Sequence, residues 1–363
     1  MNDARRNVLF WHGGIGESKR IQTTIWDFWI TGSPAPSSIS RMTSQLYNGK
    51  IYCPAYGGND IQIYDIATDS WTVGTQAPCE LWALTSQLYE GKIYCPEDYG
   101  LTMPIYDIPS DSWIMGAEQP AESDRYTSNL YNGKIYCPND KTGAMDIYDI
   151  SSDTWTVGAK SDDYIYPYSS QLYNGKIYLI ENGQKPINIY DIESNAWTFG
   201  SAPPSSVWRW TSQLYNGKIY CPADGGTPGT AMHIYDIATD SWTVGASAPS
   251  GGYRRTSQLY NGKIYCPQNN GTAMHIYDII NNTWTVGMPQ PTAIRRYTSQ
   301  LYIRGKNLMN DMFHYVLAWH GDFIKTTYET VSFMDINPDE SVSNAIIYCP
   351  ARDDEAMHIY GLL

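Results

Sequence analysis

One unit recurs through most of the 363 residues and limits the fold more than any other feature: Tyr-Thr-Ser-Gln-Leu-Tyr-Asn-Gly-Lys-Ile-Tyr-Cys-Pro, then Ile-Tyr-Asp-Ile, then Ser-Trp-Thr-Val-Gly. Its tryptophans, Trp29, Trp71, Trp113, Trp155, Trp197, Trp242 and Trp284, stand 42 residues apart, with one step of 45. A fixed period of this size marks a propeller or solenoid built from one supersecondary unit. Length alone would suggest two or three domains, but one closed propeller absorbs it.

The copy from Arg41 to Pro78 reads as four strands. Met-Thr-Ser-Gln-Leu-Tyr is strand A, followed by Asn48-Gly49, a strong signal for a two-residue hairpin. Lys-Ile-Tyr-Cys is strand B, stopped by Pro54, and Ile-Gln-Ile-Tyr-Asp-Ile is strand C, rich in β-branched and aromatic residues. A short polar turn leads to strand D, Ser-Trp-Thr-Val-Gly. Large apolar groups fall on both sides of strand C, as expected for a sheet covered on both faces by neighbouring blades. No apolar spacing of three and four persists, so the expected class is all-β.

Six complete copies end at Trp71 through Trp284. A seventh is expected from both termini, with strand A at 297–302 and strands B to D at 8–32, the latter in register with the copy one period later. This gives a seven-bladed propeller over 1–302, closed so that no sheet edge is left open at the seam. Residues 303–363 remain as a C-terminal extension with further β-strands. Its ending, Ile-Ile-Tyr-Cys-Pro-Ala-Arg-Asp-Asp-Glu-Ala-Met-His-Ile-Tyr, matches strands B and C, so it either adds strands to the closing blade or competes with the N-terminal strands for it. It is also a candidate attachment for assembly.

The net charge of −13 argues against a nucleic-acid partner, which requires a basic surface. No apolar run is long enough to span a bilayer, and the N-terminus lacks a secretory apolar core. Membrane insertion is not expected, and a cytoplasmic or virion-associated location is. Six of the seven cysteines, Cys53, Cys95, Cys137, Cys221, Cys266 and Cys349, share one slot of the repeat. Blade packing holds such slots apart, so they read as free, buried, small apolar residues. No Cys-x-x-Cys pair or catalytic signature is present, and neither a metal nor a cofactor is expected.

The unit resembles the kelch repeat over about residues 8–302. Gly-Lys-Ile-Tyr recurs at Gly49, Gly91, Gly133, Gly175, Gly217 and Gly262, Tyr-Asp recurs from Tyr64 to Tyr277, and the last-strand tryptophan is always present. The kelch double glycine is replaced by Cys-Pro in most copies. The resemblance implies a propeller whose Arg41, Arg125, Arg209, Arg254 and Arg296, each two residues before the first hydroxyl of strand A, line the mouth of the central channel.

Variation among the copies is lopsided. The A-to-B and C-to-D turns, on one face of the disc, hardly change, whereas the B-to-C loops and D-to-A segments on the other face differ completely. Loops on a rigid scaffold commonly carry binding. The varied segments hold Trp82, Tyr126, Tyr164, Tyr166, Trp208, Trp210 and Tyr253 beside the arginines. Arg with Trp and Tyr is a hot-spot composition, with Arg209, Trp210, Arg254 and Arg296 as the expected centre. The alternative for each arginine is packing over an aromatic ring of its own blade. The sequence therefore reads as a non-enzymatic module for a protein or glycan partner. A carbohydrate-active enzyme at the channel mouth and a structural part of a virion or adhesin are the alternatives.

Overall fold

The computed structural model describes residues 27–38, 40–98, 101–124, 126–163, 165–181, 183–205, 208–223, 230–250, 254–293, 298–304, 344–351 and 357–362. These form seven four-stranded antiparallel sheets, with no helix among the described residues. Blade 1 sets the pattern: strand A is Gln45–Tyr47, B is Lys50–Pro54, C is Ile61–Asp65 and D is Ser70–Val73. Blades 2 to 6 repeat it in chain order. Asn48 and Gly49 close the A–B hairpin with φ of 47° and 74°, the paired left-handed conformations that make Asn-Gly the favoured sequence. In blade 2 Glu90 holds the Asn position at φ 46°.

The core lies between blades rather than within them. Tyr52, Ile61 and Ile63 of blade 1 pack against Ile93, Cys95 and Tyr106 of blade 2, and the remaining seams repeat this mixture. All seven cysteines are free, and the six in the repeat slot are fully buried in these seams. Burial pushes the thiols of Cys53, Cys221 and Cys266 up to about 12.

Two hydrogen-bonded rings run around the disc. In the inner one, the first hydroxyl of each strand-A segment meets the second hydroxyl of the next: Thr43–Ser86 at 2.7 Å, Thr85–Ser128 at 2.8 Å, Thr127–Ser170 at 2.5 Å, Ser169–Ser212 at 3.1 Å, Thr211–Ser257 at 2.7 Å, Thr256–Ser299 at 2.7 Å and Thr298–Ser44 at 2.6 Å. Seven links close the circle, so the A strands surround the axis. In the outer ring, each strand-D tryptophan donates its indole N–H to a carbonyl of the preceding blade, from Trp71 on Ser33 at 2.9 Å round to Trp29 on Met288 at 2.8 Å.

The seventh blade joins the termini differently from expectation. Its order is Gln300–Arg304, Asn344–Pro350, Met357–Leu362, then Asp27–Gly32. The C-terminal stretch thus supplies strands B and C as well as A, and the N-terminal stretch supplies only D. The second Ile-Tyr-Cys-Pro-like segment wins these positions because it brings the buried slots: Ile347, Tyr348, Cys349 and Tyr360 are at most 4% exposed. Asn344–Pro350 and Met357–Leu362 therefore belong to the seventh blade rather than to an extension, while 8–26 lie outside the described residues.

Candidate functional site

Strand alternation decides what faces the axis. Counting back from the first strand-A hydroxyl, Arg41, Arg209 and Arg254, two before it, turn into their own blades, and across blades 3 to 6 the described residues one and three before it meet those of neighbouring blades. The arginines occupy the inward slot. Arg41, Arg209 and Arg254 are 1%, 1% and 0% exposed. Arg209 donates to the carbonyls of Gly183 at 2.8 Å and Ser205 at 3.0 Å and to His233 Nδ1 at 2.8 Å, and stacks 5.5 Å from the Trp242 ring centre. Arg254 donates to the carbonyls of Ala223 at 2.7 Å and Ser250 at 3.0 Å and stacks over Trp284. Arg41 donates to Ala351 and Gln62 and stacks over Trp71.

Arg41, Arg209 and Arg254 therefore brace B-to-C and D-to-A loops from inside the blade. This corrects their expected place lining the channel mouth: each guanidinium is surrounded by carbonyls and covered by an indole. Arg125, Tyr164, Tyr253 and Arg296 lie outside the described residues.

The other slots build a continuous aromatic arc across blades 3 to 6. One residue before the hydroxyl stand Tyr126, Tyr168, Trp210 and Arg255; three before it stand Asp124, Tyr166 and Trp208. The Tyr126 and Tyr168 rings are 5.0 Å apart, Tyr168 meets Trp210 edge-on at 4.1 Å, and Arg255 lies 3.7 Å over the Trp210 ring centre. Trp208 runs parallel to Trp210 at 5.8 Å and 17° and is 54% exposed. Tyr166 packs against Tyr126 and Tyr168 at 5.5 and 5.2 Å. Its hydroxyl lies 3.1 Å from that of Tyr126 and donates to Asp124 at 3.4 Å.

A second cluster continues from Asp124 towards blade 1. Trp82 stands edge-on to Tyr56 at 5.2 Å, in a small extra two-stranded pairing of Tyr56–Gly58 with Leu81–Trp82. The Tyr56 hydroxyl donates to Asp98 at 3.0 Å. Burial, reinforced by Asp124 and Asp140, raises the Asp98 carboxyl to about 6 against the opposing Tyr56 bond and Lys141. Lys141 pairs with Asp124 at 3.6 Å.

Of the expected residues, Tyr126, Tyr166, Trp208 and Trp210 are brought together and Trp82 stands apart beside Asp98. Tyr168, Arg255, Asp98 and Asp124 were not singled out by sequence. The available signal was the period of two along a strand: the slot that holds Arg41, Arg209 and Arg254 is scaffold, whereas the slot before the hydroxyl varies freely, as Met42, Leu84, Tyr126, Tyr168, Trp210 and Arg255. No cluster of three or more metal-ligating side chains occurs among the described residues.

No protein-family model matches the chain, and no curated protein does either. Solved structures match closely in shape. A chain of the mitotic checkpoint complex aligns with a TM-score of 0.61 at 11% identity, over 99% of this chain and 98% of that one. Catalytically inactive virginiamycin B lyase from Staphylococcus aureus with quinupristin aligns with a TM-score of 0.69 at 10% identity, over 93% and 100%. YCF48 bound to D1 peptide aligns with 0.61 at 9%, over 92% and 94%. Identities this low establish the propeller fold alone.

Proposed function

We propose that this propeller is a non-enzymatic binding module that takes a protein or glycan partner on its variable face. The observation that carries this reading is the arc from Asp124 through Tyr166, Tyr126 and Tyr168 to Trp210, Trp208 and Arg255. It consists of rigid aromatic plates flanked by charges of both signs at the mouth of a closed scaffold, the composition of a binding hot spot. Two similar propellers support the class by analogy, one a chain of the mitotic checkpoint complex and one, YCF48, bound to D1 peptide. The recurring Gly-Lys-Ile-Tyr, Tyr-Asp and Trp slots support a divergent kelch type.

The centre of the proposed site shifts from Arg209 and Arg254 to the half-buried arc with Trp208 as its exposed member. The full chain should be screened against immobilised proteins, peptides and glycans, and each binder re-measured with Tyr166→Ala and with Lys134→Ala on the opposite face. The arc variant is expected to weaken binding by ~1–2 kcal/mol, with the Lys134 variant unchanged. Binding lost only through the opposite face would overturn the reading.

A further inference from the structure

We infer that the ligand of this arc is a neutral carbohydrate, with Trp208 as the plate on which a sugar ring stacks. The inference rests on the binding reading above and narrows it to one ligand class. Three observations point the same way.

The first is the amount of apolar surface. A standard protein interface covers roughly 800 Å² per partner around an apolar core. Among the described residues of the variable face, three large apolar side chains have substantial exposure, Trp208 at 54%, Met288 at 51% and Leu101 at 40%, and of these Trp208 alone belongs to the arc. Most of the other exposed apolar residues, such as Val157 and Val244, lie on the outer D strands, with Ile280 in a C-to-D turn and Ile303 on the A strand of the seventh blade. One open indole with half-buried aromatic rings behind it suits a small flat apolar face, such as the C–H face of a sugar, better than a broad protein surface.

The second is the mixture of polar groups. The arc is flanked by an acceptor at Asp124, a donor at Arg255 and the amphoteric hydroxyls of Tyr126 and Tyr166. Sugar hydroxyls both donate and accept, so one ligand class meets all of these groups. A purely cationic ligand would face Arg255, and a purely anionic one would face Asp124 and, beyond it, Asp98.

The third is local charge. Asp98, Asp124 and Asp140 lie close enough to influence one another, with Lys141 as the nearby cation. In a chain of net charge −13 this end of the arc repels acidic sugars. A neutral glycan carries no such penalty.

The test uses the full chain with a panel of neutral oligosaccharides, their sialylated or uronic-acid counterparts and a peptide library, read by calorimetry and by tryptophan fluorescence. A neutral member is expected to bind and to perturb the fluorescence. Trp208→Ala should weaken it at least tenfold, while Val157→Ala on the rim leaves it unchanged. Because Trp208 is half-exposed, its variant should keep the parental melting temperature, which separates loss of binding from loss of fold. Saturating neutral glycans that leave the chain unperturbed would overturn the inference, as would selective binding of the acidic ones. A peptide or protein bound through Trp208, with no sugar bound, would also overturn it while leaving the proposed binding face standing.

Discussion

At the scale of single residues, the buried arginines set up a measurable pH dependence. Arg209 and Arg254 donate to Nδ1 of His233 and His275, whose Nε2 atoms face the hydroxyls of Ser205 and Ser250 at 3.3 and 2.9 Å. With Nδ1 accepting, each ring is neutral with its proton on Nε2. Burial first, and the arginine second, lower both histidines to about 4. An unfolded histidine titrates near ~6.5. As pH falls, the unfolded chain takes up these protons first, so this stability is complete above about pH 6.5 and is lost towards pH 4. Each histidine accounts for about 3 kcal/mol of that loss. Asp98, raised to about 6, acts oppositely: its folded form binds a proton first, which favours folding as pH falls through the same window. Two histidines outweigh it. In blade 1 the same slot holds Gln62, which accepts from Arg41 without titrating. The double variant His233→Gln, His275→Gln should therefore keep its neutral-pH stability and lose much of the decline, as read from urea midpoints between pH 7.5 and 4.5; parallel curves for parent and variant would refute the assignment. The arginines also show where the sequence was legible and where it was not. Their recurrence was plain, as was the alternative that each packs on an aromatic ring. Their direction depends on strand phase, and a shift of one residue moves a side chain from the axis to the blade interior.

At the scale of the element, the repeat encodes a clamp between blades. The Tyr106 hydroxyl and the Thr75 amide both donate to Asp111 Oδ1, at 2.5 and 2.8 Å, while Trp113 Nε1 donates back to the Thr75 carbonyl at 2.7 Å. Equivalent Tyr, Asp or Asn, and Trp residues recur at each described seam between blades 1 and 6. This explains the uniform face without a ligand: the turns stay constant because they hold left-handed residues and clamp oxygens. Freedom from that constraint accounts for much of the variation on the other face, so the case for binding there rests on the arc and not on the variation. The same clamp explains the glycine that ends strand D. A Cβ on Gly74 would lie 2.7 Å from the Tyr106 hydroxyl and 2.9 Å from both Asp111 Oδ1 and Ile61 Cγ2. Gly74→Ala should cost about 1–3 kcal/mol through overpacking. Adding Tyr106→Phe removes the nearest clashing atom, so the double variant should be less destabilised than the sum of the two single variants; simple additivity in chemical unfolding would show that the clamp does not act as drawn. The four strands and the Asn-Gly hairpins were readable from periodicity and turn chemistry. The hydroxyl ring was not, because Thr-Ser carries no strand-pairing signal and its partners come from a different blade.

At the scale of the whole molecule, stability depends on how the ring is closed. The sequence pointed to both termini in the seventh blade, but its expectation that 8–32 supplies strands B to D fails for B and C, because a second matching segment near the C-terminus competes for the same slots. The structure assigns three strands to the C-terminal stretch and one to the N-terminal stretch. The two contributions are unequal in energy. Asn344–Pro350 and Met357–Leu362 carry Ile346, Ile347, Tyr348, Met357, Ile359 and Tyr360, each at most 6% exposed and packed into the seams with blades 1 and 6. At roughly 1.5–3 kcal/mol for each fully buried large side chain, their loss matches or exceeds the 5–15 kcal/mol that holds a typical protein folded. Asp27–Gly32 contributes the partly buried Trp29 and Ile30 and the indole bond to Met288, and it lies at the outer edge of its sheet, away from the hydroxyl ring. Deleting residues 1–32 should therefore lower stability by a few kcal/mol and expose one strand edge, leaving a folded disc with a raised tendency to self-associate. Deleting residues 344–363 should abolish cooperative unfolding altogether, because blades 1 and 6 would each lose the partner of a buried face. Thermal unfolding followed by circular dichroism, with the mass of the native particle measured alongside, separates the two cases. Equal damage from both deletions, or a soluble cooperative monomer lacking 344–363, would show that the seam is not closed in this way.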